Sequence, residues 1–429
     1  MEMQKQSKFR NIIEYALIVA LFYVTGGAFS YTNYSLQIIL FFSCAAGLAL
    51  VFGCLHHFFR QEVLVVWLIQ FVCLMLVPII SGDAASSYIA ILLQLTIGAL
   101  CAIMIPFQEF KRKFLRIIVF FATVSLLFFV VSIIYPQIAL SFPCVKGDAS
   151  VDYYNAYIYV FMRPKGFVSF QLSIRNAGIC WEPGCYQAFL NIGLIFLLEE
   201  GQEKGWRQLW SFMILLLTIF TTMSTAGLIL LVCTLIIYWK TWTKRFVNQK
   251  YFLMIVLCLI GLVVLLQVLG FVDFITEKLR REFLSSEEGD FWDRISLNRI
   301  SYVVNDGRYY FFGMSFAKWL TFDLSLWNSV IHSFLCLGTP FTILQLLLYW
   351  QGAKVVGKKG WWLFSVMVLC CFTETLFWRV FFNTIAYYGV VVRKKQALNI
   401  VFLLKKEKRK GENSIIRCSN NRWVPRNWA

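Results

Sequence analysis

Polar positions are so sparse along most of this chain that no amphipathic repeat forms; long stretches free of Asp, Glu, Lys and Arg alternate with short charged clusters. A helix crossing the hydrocarbon core of a bilayer needs about 20 mostly apolar residues, so these runs predict membrane-spanning helices. Residues 15–59 carry no full charge, enough for two spans broken near Tyr31-Thr32-Asn33-Tyr34-Ser35. Further runs cover 63–82, 84–108, 117–145, 183–198, 208–239, 251–272 and 324–353. The 208–239 run is too long for one helix. Its small polar stretch from Thr221 to Gly227 suits a tight turn, which predicts a hairpin of two spans. The last apolar stretch, 360–392, is interrupted by Glu374 and Arg379 and reads as one long helix or two short ones.

Composition agrees with that pattern. Of 429 residues, 59% are hydrophobic and 15% charged, whereas a soluble chain has about 45–50% apolar and about 25% charged residues. A soluble enzyme is excluded. The net charge of +17 and the 18% aromatic content would suggest nucleic-acid binding in a cytosolic chain. Here the basic residues cluster in short loops between apolar runs, so no nucleic-acid partner is expected. Short cytoplasmic loops accumulate Lys and Arg, and that rule favours an N-terminus inside and twelve spans. Counting 360–392 as one span would place the eleven basic residues of the tail on the opposite side.

The expected fold is therefore all-α: a polytopic membrane helical bundle of about 12 transmembrane helices with two long extracytoplasmic loops. Residues 1–135 hold spans one to five, 136–181 an outer loop, and 182–271 spans six to nine. Residues 272–326 form the larger outer loop, 327–392 hold spans ten to twelve, and 393–429 are a basic cytoplasmic tail. Lys5, Lys8 and Arg10 precede an apolar run with no small-residue cleavage site, which reads as an uncleaved anchor. The tail block Lys405-Lys406-Glu407-Lys408-Arg409-Lys410 reads as a solvated, topology-setting segment with affinity for anionic head groups.

Most cysteines fall inside apolar runs, where cysteine behaves as a small hydrophobe. Cys144, Cys180 and Cys185 lie on the outer side, and a disulfide from Cys144 to either partner is one reading. No pairing of these residues has zinc-finger spacing, so neither a metal nor a cofactor is expected.

The type of basic residue differs between the two sides. Arginine outnumbers lysine eight to four on the outer side, while lysine leads on the inner one. Arginine presents a planar fork of donors that matches phosphate and carboxylate oxygens. Arg163, Arg175, Arg294, Arg299, Arg308 and Arg379 accordingly suggest an anionic ligand outside, whereas Arg280 and Arg281 sit beside Glu277 and Glu282 and read as ion pairs.

Helix direction adds a second argument. Spans six, eight, ten and twelve would present their N-termini, with unpaired N–H groups and the positive dipole end, to the outer compartment. Span six opens at Trp181-Glu182-Pro183-Gly184, with Pro183 suited to the first turn. Span eight opens at Ser224-Thr225 and span ten near Asn328, with His332 four residues on along the same face. If the segment from Arg175 to Glu182 were helical, those two would share a face. Each residue also has an ordinary structural role open to it: Glu182 as a cap or a partner of Arg175, His332 as a hydrogen-bonding partner of a neighbouring helix. Ionisable groups at membrane depth are nonetheless functional candidates.

These residues resemble a known family. Arg175-Asn176-Ala177-Gly178-Ile179-Cys180-Trp181-Glu182-Pro183 resembles the Arg-x-x-Gly-x-x-x-Glu-Pro signature of Wzy-type O-antigen and capsule polymerases of the O-antigen ligase superfamily. Ser224-Thr225-Ala226-Gly227, the outer-loop pair Arg299 and Arg308, Phe311 to Ser315, and Asn328 to Gly338 are similar to that family's later stretches, in the same order. The resemblance covers about residues 160 to 345. His332 departs from it, because the family often places its Asn and His together.

The resemblance implies a metal-independent glycosyltransferase of the bacterial inner membrane with both termini cytoplasmic. Its substrate would be oligosaccharide repeat units on undecaprenyl diphosphate, and a chain-length regulator and a flippase are candidate partners beside membrane lipids. Arg163, Arg175, Arg299, Arg308, Asn328 and Ser224 are then expected to bind diphosphate or glycan. Glu182 or His332 would orient or deprotonate the acceptor hydroxyl. A ligase handing glycan to lipid A core and a lipid-linked oligosaccharide flippase are the competing expectations.

Overall fold

The structure, a computed structural model, describes residues 2–27, 61–146, 151–165, 172–173, 175–200, 206–247, 309–320 and 328–392. The helices are α1 (Glu2–Gly26), α2 (Gln61–Ser81), α3 (Ser86–Met104), α4 (Phe107–Ile134), α5 (Pro183–Glu199), α6 (Trp206–Thr222), α7 (Thr225–Ile237) and α8 (Trp239–Trp242). They continue with α9 (Tyr309–Phe312), α10 (Phe316–Leu320), α11 (Ser329–Lys354), α12 (Gly360–Thr373) and α13 (Val380–Val392). Among them α2, α3, α4 and α11 are long and apolar enough to cross a membrane. The pair Thr225–Ile237 and Trp239–Arg245, bent by 66°, makes a fifth if counted as one span. The molecule is thus a helical membrane protein.

One departure from an all-α fold lies between α4 and α5. Strands β1 (Cys144–Lys146), β2 (Val151–Asn155) and β3 (Val160–Pro164) form an antiparallel sheet in the order β1-β2-β3. Tyr154 and Phe161, paired across it, pack with Tyr159 and Ala139 into a small apolar cluster of their own.

The main core is aromatic. Phe22 of α1 stacks on Phe114 of α4 at 5.1 Å, and Phe381 of α13 packs on Phe114 at 4.8 Å and on Phe189 of α5 at 5.0 Å. Neutral polar groups join other helices. Gln70 of α2 donates to Gln345 of α11 at 2.7 Å; Gln345 in turn donates to Asn383 of α13, and Tyr387 to Gln70. Away from water such bonds hold helices together because the alternative is an unsatisfied polar group.

Contacts at the helix termini define two ends of the bundle. At one end Tyr238 donates to Glu199 at 2.7 Å, Arg245 to the Leu197 carbonyl at 3.1 Å, and Lys359 to the Ile237 carbonyl. Buried Lys113 pairs with Glu14 close by the α3–α4 turn. This is the basic end. At the opposite, loop-bearing end Trp181 N–H donates to the Gly26 carbonyl at 3.1 Å, and residues 82–85 meet 313–317. Helices α5, α7, α12 and α13 have 17, 13, 14 and 13 residues. At 1.5 Å per residue they reach roughly 20–25 Å, short of a core about 30 Å thick.

Helix α11 is broken. Gly338 has φ 82° and ψ 173°, and the Ser333 and Thr342 hydroxyls meet at 3.0 Å. Residues nine apart on a straight helix would be about 13 Å apart, so the two halves fold toward each other about Gly338. Pro340 explains the site of the break: its ring clashes with the carbonyl four residues back, that of Cys336. The carbonyls freed there accept from a neighbouring segment, Leu335 from Met314 N–H at 2.7 Å and Cys336 from Ser315 N–H at 3.3 Å.

Asp83 anchors that segment. Its carboxylate accepts from Tyr88 at 2.8 Å, from Ala317 N–H at 3.1 Å and from Ala84 N–H at 3.2 Å. Burial works against the charge, but hydrogen bonds from Ala317, Tyr88, Ser315 and Ala84 outweigh it and hold the carboxyl below its ordinary value of 3.8. A lowered carboxyl pKa means that the anchor is at full strength above pH 3.8 and weakens as pH falls through the lower folded value. At neutral pH, Asp83→Ala should speed amide exchange at Ala317 by about tenfold or more, the worth of a charged hydrogen bond. Hydrogen exchange read by mass spectrometry checks this, and equal rates in the two proteins would contradict it.

Candidate functional site

The loop end gathers the starts of α5, α7 and the first half of α11. Before α5 the chain must turn sharply, and Gly178 (φ 56°) does so where a side chain would strike the Tyr186 ring. Asn176 fixes this turn. Its side-chain oxygen accepts from Gly178 N–H at 2.9 Å, its amide nitrogen donates to Thr221 Oγ1 at 3.0 Å, and its backbone N–H donates to the Thr221 carbonyl at 2.9 Å. Arg175 is thereby held beside the end of α6, with Nε donating to the Thr222 carbonyl at 3.4 Å. Two residues later Ser224 caps α7, its Oγ accepting from Gly227 N–H at 3.3 Å. Arg175 and Ser224 thus stand together at the N-terminal mouth of α7.

Glu182 is the N-cap residue of α5, in extended conformation, and its side chain makes no capping bond. Pro183 takes the first helical position, and Gly184 follows because Glu374 occupies the space: a Cβ on Gly184 would lie 1.7 Å from Glu374 Oε1. Two carboxylates therefore flank the first turn of α5. Glu374 is 5% exposed and Arg379, five residues on, 7%. The Arg379 guanidinium lies 5.4 Å from the Trp181 ring centre and its Nε donates to the Thr375 carbonyl at 3.2 Å. Burying charged groups is costly, so a glutamate and an arginine at this depth are candidates for a functional site.

Ser329, the first residue of α11, ties this loop down. Its hydroxyl accepts from the Leu376 and Phe377 N–H groups, both at 3.1 Å, and lies 2.8 and 2.7 Å from the Cys371 and Glu374 carbonyls, to which it donates its one proton. Leu376 N–H also donates to the Glu374 carbonyl at 2.8 Å, so Ser329→Ala would strand one buried donor, Phe377 N–H, at about 1–3 kcal/mol. Thermal unfolding in detergent should register a loss of about 2 kcal/mol, and a loss under about 1 kcal/mol would show that the loop stands without it.

Asn328 caps α11, its side-chain oxygen accepting from Val330 and Ile331 N–H at 3.1 and 3.0 Å. One turn on, His332 sits among Phe316, Trp319 and Trp378 with ring separations of 5.5, 5.4 and 5.6 Å. Its Nε2 is buried with no hydrogen-bond partner among the described residues. The alternative reading, a bond from His332 to a neighbouring helix, is not met at Nε2 among the described residues; three aromatic rings surround the imidazole instead.

Other expected residues fall elsewhere. Arg163 lies in β3, paired in register with Asp152 of β2, so it belongs to the sheet. Arg299 and Arg308 lie outside the described residues. The segment from Arg175 to Glu182 is irregular, so these two residues do not share a helical face as a helical reading required; the Asn176 bonds and the Gly178 turn prevent it. Cys144 is exposed while Cys180 and Cys185 are buried, and all three are free thiols. Sequence reasoning did not place Glu374, Ser329, Trp181 or Trp378 in the site, and it named Arg379 among the arginines facing an anionic ligand without giving it a role there. The signal for Glu374 and Arg379 was present, two ionisable residues inside an apolar stretch.

No family model matches the chain, and no curated protein matches it.

Proposed function

We propose that this chain is a polysaccharide polymerase of the bacterial inner membrane, a metal-independent glycosyltransferase that moves glycan from undecaprenyl diphosphate onto a sugar hydroxyl of another lipid-linked repeat unit. In this reading the chain crosses the membrane twelve times with both termini in the cytoplasm and the loop-bearing end outside. One observation carries it: Arg175 is pinned beside the Ser224-capped start of α7. A guanidinium fork at a helix N-terminus, where backbone N–H groups point outward, is suited to a diphosphate leaving group.

The acceptor hydroxyl attacks the anomeric carbon as the bond from that carbon to the diphosphate oxygen breaks. Negative charge grows on the diphosphate, and Arg175 with the α7 N-terminus stabilises it. The hydroxyl proton passes to Glu182, which stands at the start of α5. His332 is the second choice of base, since its Nε2 is enclosed by three aromatic rings. Arg299 and Arg308 complete the diphosphate site in this reading, and Asn328 positions the half-helix that bears His332.

The broken α11 favours a second reading, because discontinuous helices are common in transporters such as flippases. Against it, the network inside the bundle is made of amides and a phenol, Gln70, Gln345, Asn383 and Tyr387, which offers no charged relay. A ligase acting on lipid A core would use the same donor site.

Incubating the purified protein with lipid-linked repeat units and resolving the products by size separates these readings. A ladder of lengths is expected. Transfer only to an added lipid A core acceptor would indicate a ligase, and translocation in vesicles without any ladder would indicate a flippase.

A further inference from the structure

The basic end holds a second feature, unrelated to glycan transfer. Where α7 passes into α8 the axis bends by 66°, and the bend opens a recess of about 440 Å³ lined by Ile236, Ile237, Trp239, Lys240 and Lys359. We propose that this recess binds a phospholipid with an anionic head group.

The two halves of the recess match the two halves of such a molecule. Ile236 and Trp239 are 67% and 57% exposed on the outer surface of the bundle. An aliphatic wall facing outward suits an acyl chain, and tryptophan favours the boundary between hydrocarbon and head groups. A small soluble anion would make no use of that wall. Lys240 and Lys359 supply the opposite charge. Lys359 is held in place, donating to the Ile237 carbonyl and lying 4.2 Å from the Tyr238 ring centre. Lys240 is exposed, and Lys244, four residues on, extends the same helical face. Of the acids beside this corner, Glu199 and Glu200, Glu199 accepts from the Tyr238 hydroxyl at 2.7 Å and packs against Gly357. Two lysines at an interfacial corner with an aliphatic wall beneath them form the kind of basic pocket that binds acidic lipid head groups.

The test uses the full chain in vesicles carrying a photoactivatable phosphatidylglycerol, or the matching phosphatidylcholine, with labelled peptides identified by mass spectrometry. Phosphatidylglycerol should label the peptide containing residues 236–240 preferentially, and unlabelled phosphatidylglycerol should compete while inorganic phosphate should not. Lys240→Gln should reduce that labelling about fivefold, the worth of one basic residue near an acidic lipid. Lys240→Arg should retain it. Because the Lys240 side chain is exposed, the variant folds, so the result bears on the site alone. Replacing Lys405, Lys406 and Lys408 in the tail with glutamine should leave the 236–240 labelling unchanged. Equal labelling by the two lipids, or full labelling of Lys240→Gln, would overturn the proposal.

Discussion

Arg175→Lys is expected to abolish long-chain glycan while leaving single lipid-linked units intact. The substitution keeps the charge, so long-range attraction of an anionic lipid survives. What is lost is the fork: Arg175 is anchored through Nε at the Thr222 carbonyl and reaches a ligand from a planar group, whereas an ammonium is a single flexible point that cannot hold both places. Stabilising donors aimed at developing charge are worth about 10²–10³ in rate when one is removed, and a drop of that order in polymerisation is expected. Arg175 is half-buried at the rim of the site, so thermal stability should change by less than about 1 kcal/mol. Gel analysis of the glycan beside a melting curve reads both quantities. A normal ladder from Arg175→Lys would remove this residue from the diphosphate site, and a collapsed melting curve would make its role structural.

The site was legible in the sequence wherever its geometry is local. Pro183 at a first helical position, Ser224 as a cap and Asn328 as another follow from backbone chemistry that each residue carries with it, and helices start where those residues stand. Charge-free runs set α2 at 61–81 against an expected 63–82, and α5 at 183–199 against 183–198. The same rule failed at α4, which begins at Phe107 rather than 117. The charges that ended the run are inside the helix, and Lys113 finds its counter-ion on α1. A run of uncharged residues measures partition into lipid and is blind to a partner nearly a hundred residues away.

Long-range matches were hidden for the same reason. Nothing near Gly184 announces that Glu374 will fill the space above it, and nothing near Ser329 announces the 374–377 loop. The break in α11 is an intermediate case. The Gly338-Thr339-Pro340 step lies in plain view, but an apolar run gives the length of a span and not its direction, so the folding back of the Asn328–Leu337 half was not foreseen. The small sheet was missed because its strands of three to five residues sit in the loop between α4 and α5, which was read only for charge.

Gly338→Ala should be among the most damaging single changes in the molecule, and Gly82→Ala supplies its control. Both glycines have positive φ, 82° and 70°. At Gly82 a Cβ would meet nothing within 4 Å, so alanine there bears only backbone strain, about 1–2 kcal/mol. At Gly338 ψ is 173°, a region essentially reserved to glycine, and the new Cβ would lie 2.1 Å from the Phe311 carbonyl oxygen. That neighbour is backbone and cannot swing aside. Relief requires moving the 311–315 segment, which would break the Met314 and Ser315 bonds to the Leu335 and Cys336 carbonyls and shift the half-helix that carries His332. The summed strain, clash and lost bonds should exceed about 4 kcal/mol, the range reserved for structural disruption. Gly338→Ala should therefore fail to accumulate as folded protein or melt far below the parent, while Gly82→Ala remains folded. Fluorescence-detected gel filtration and melting curves of the two variants decide the matter. Equal stability would mean that α11 passes straight through residue 338, and the half-helix presenting His332 to the site would not exist.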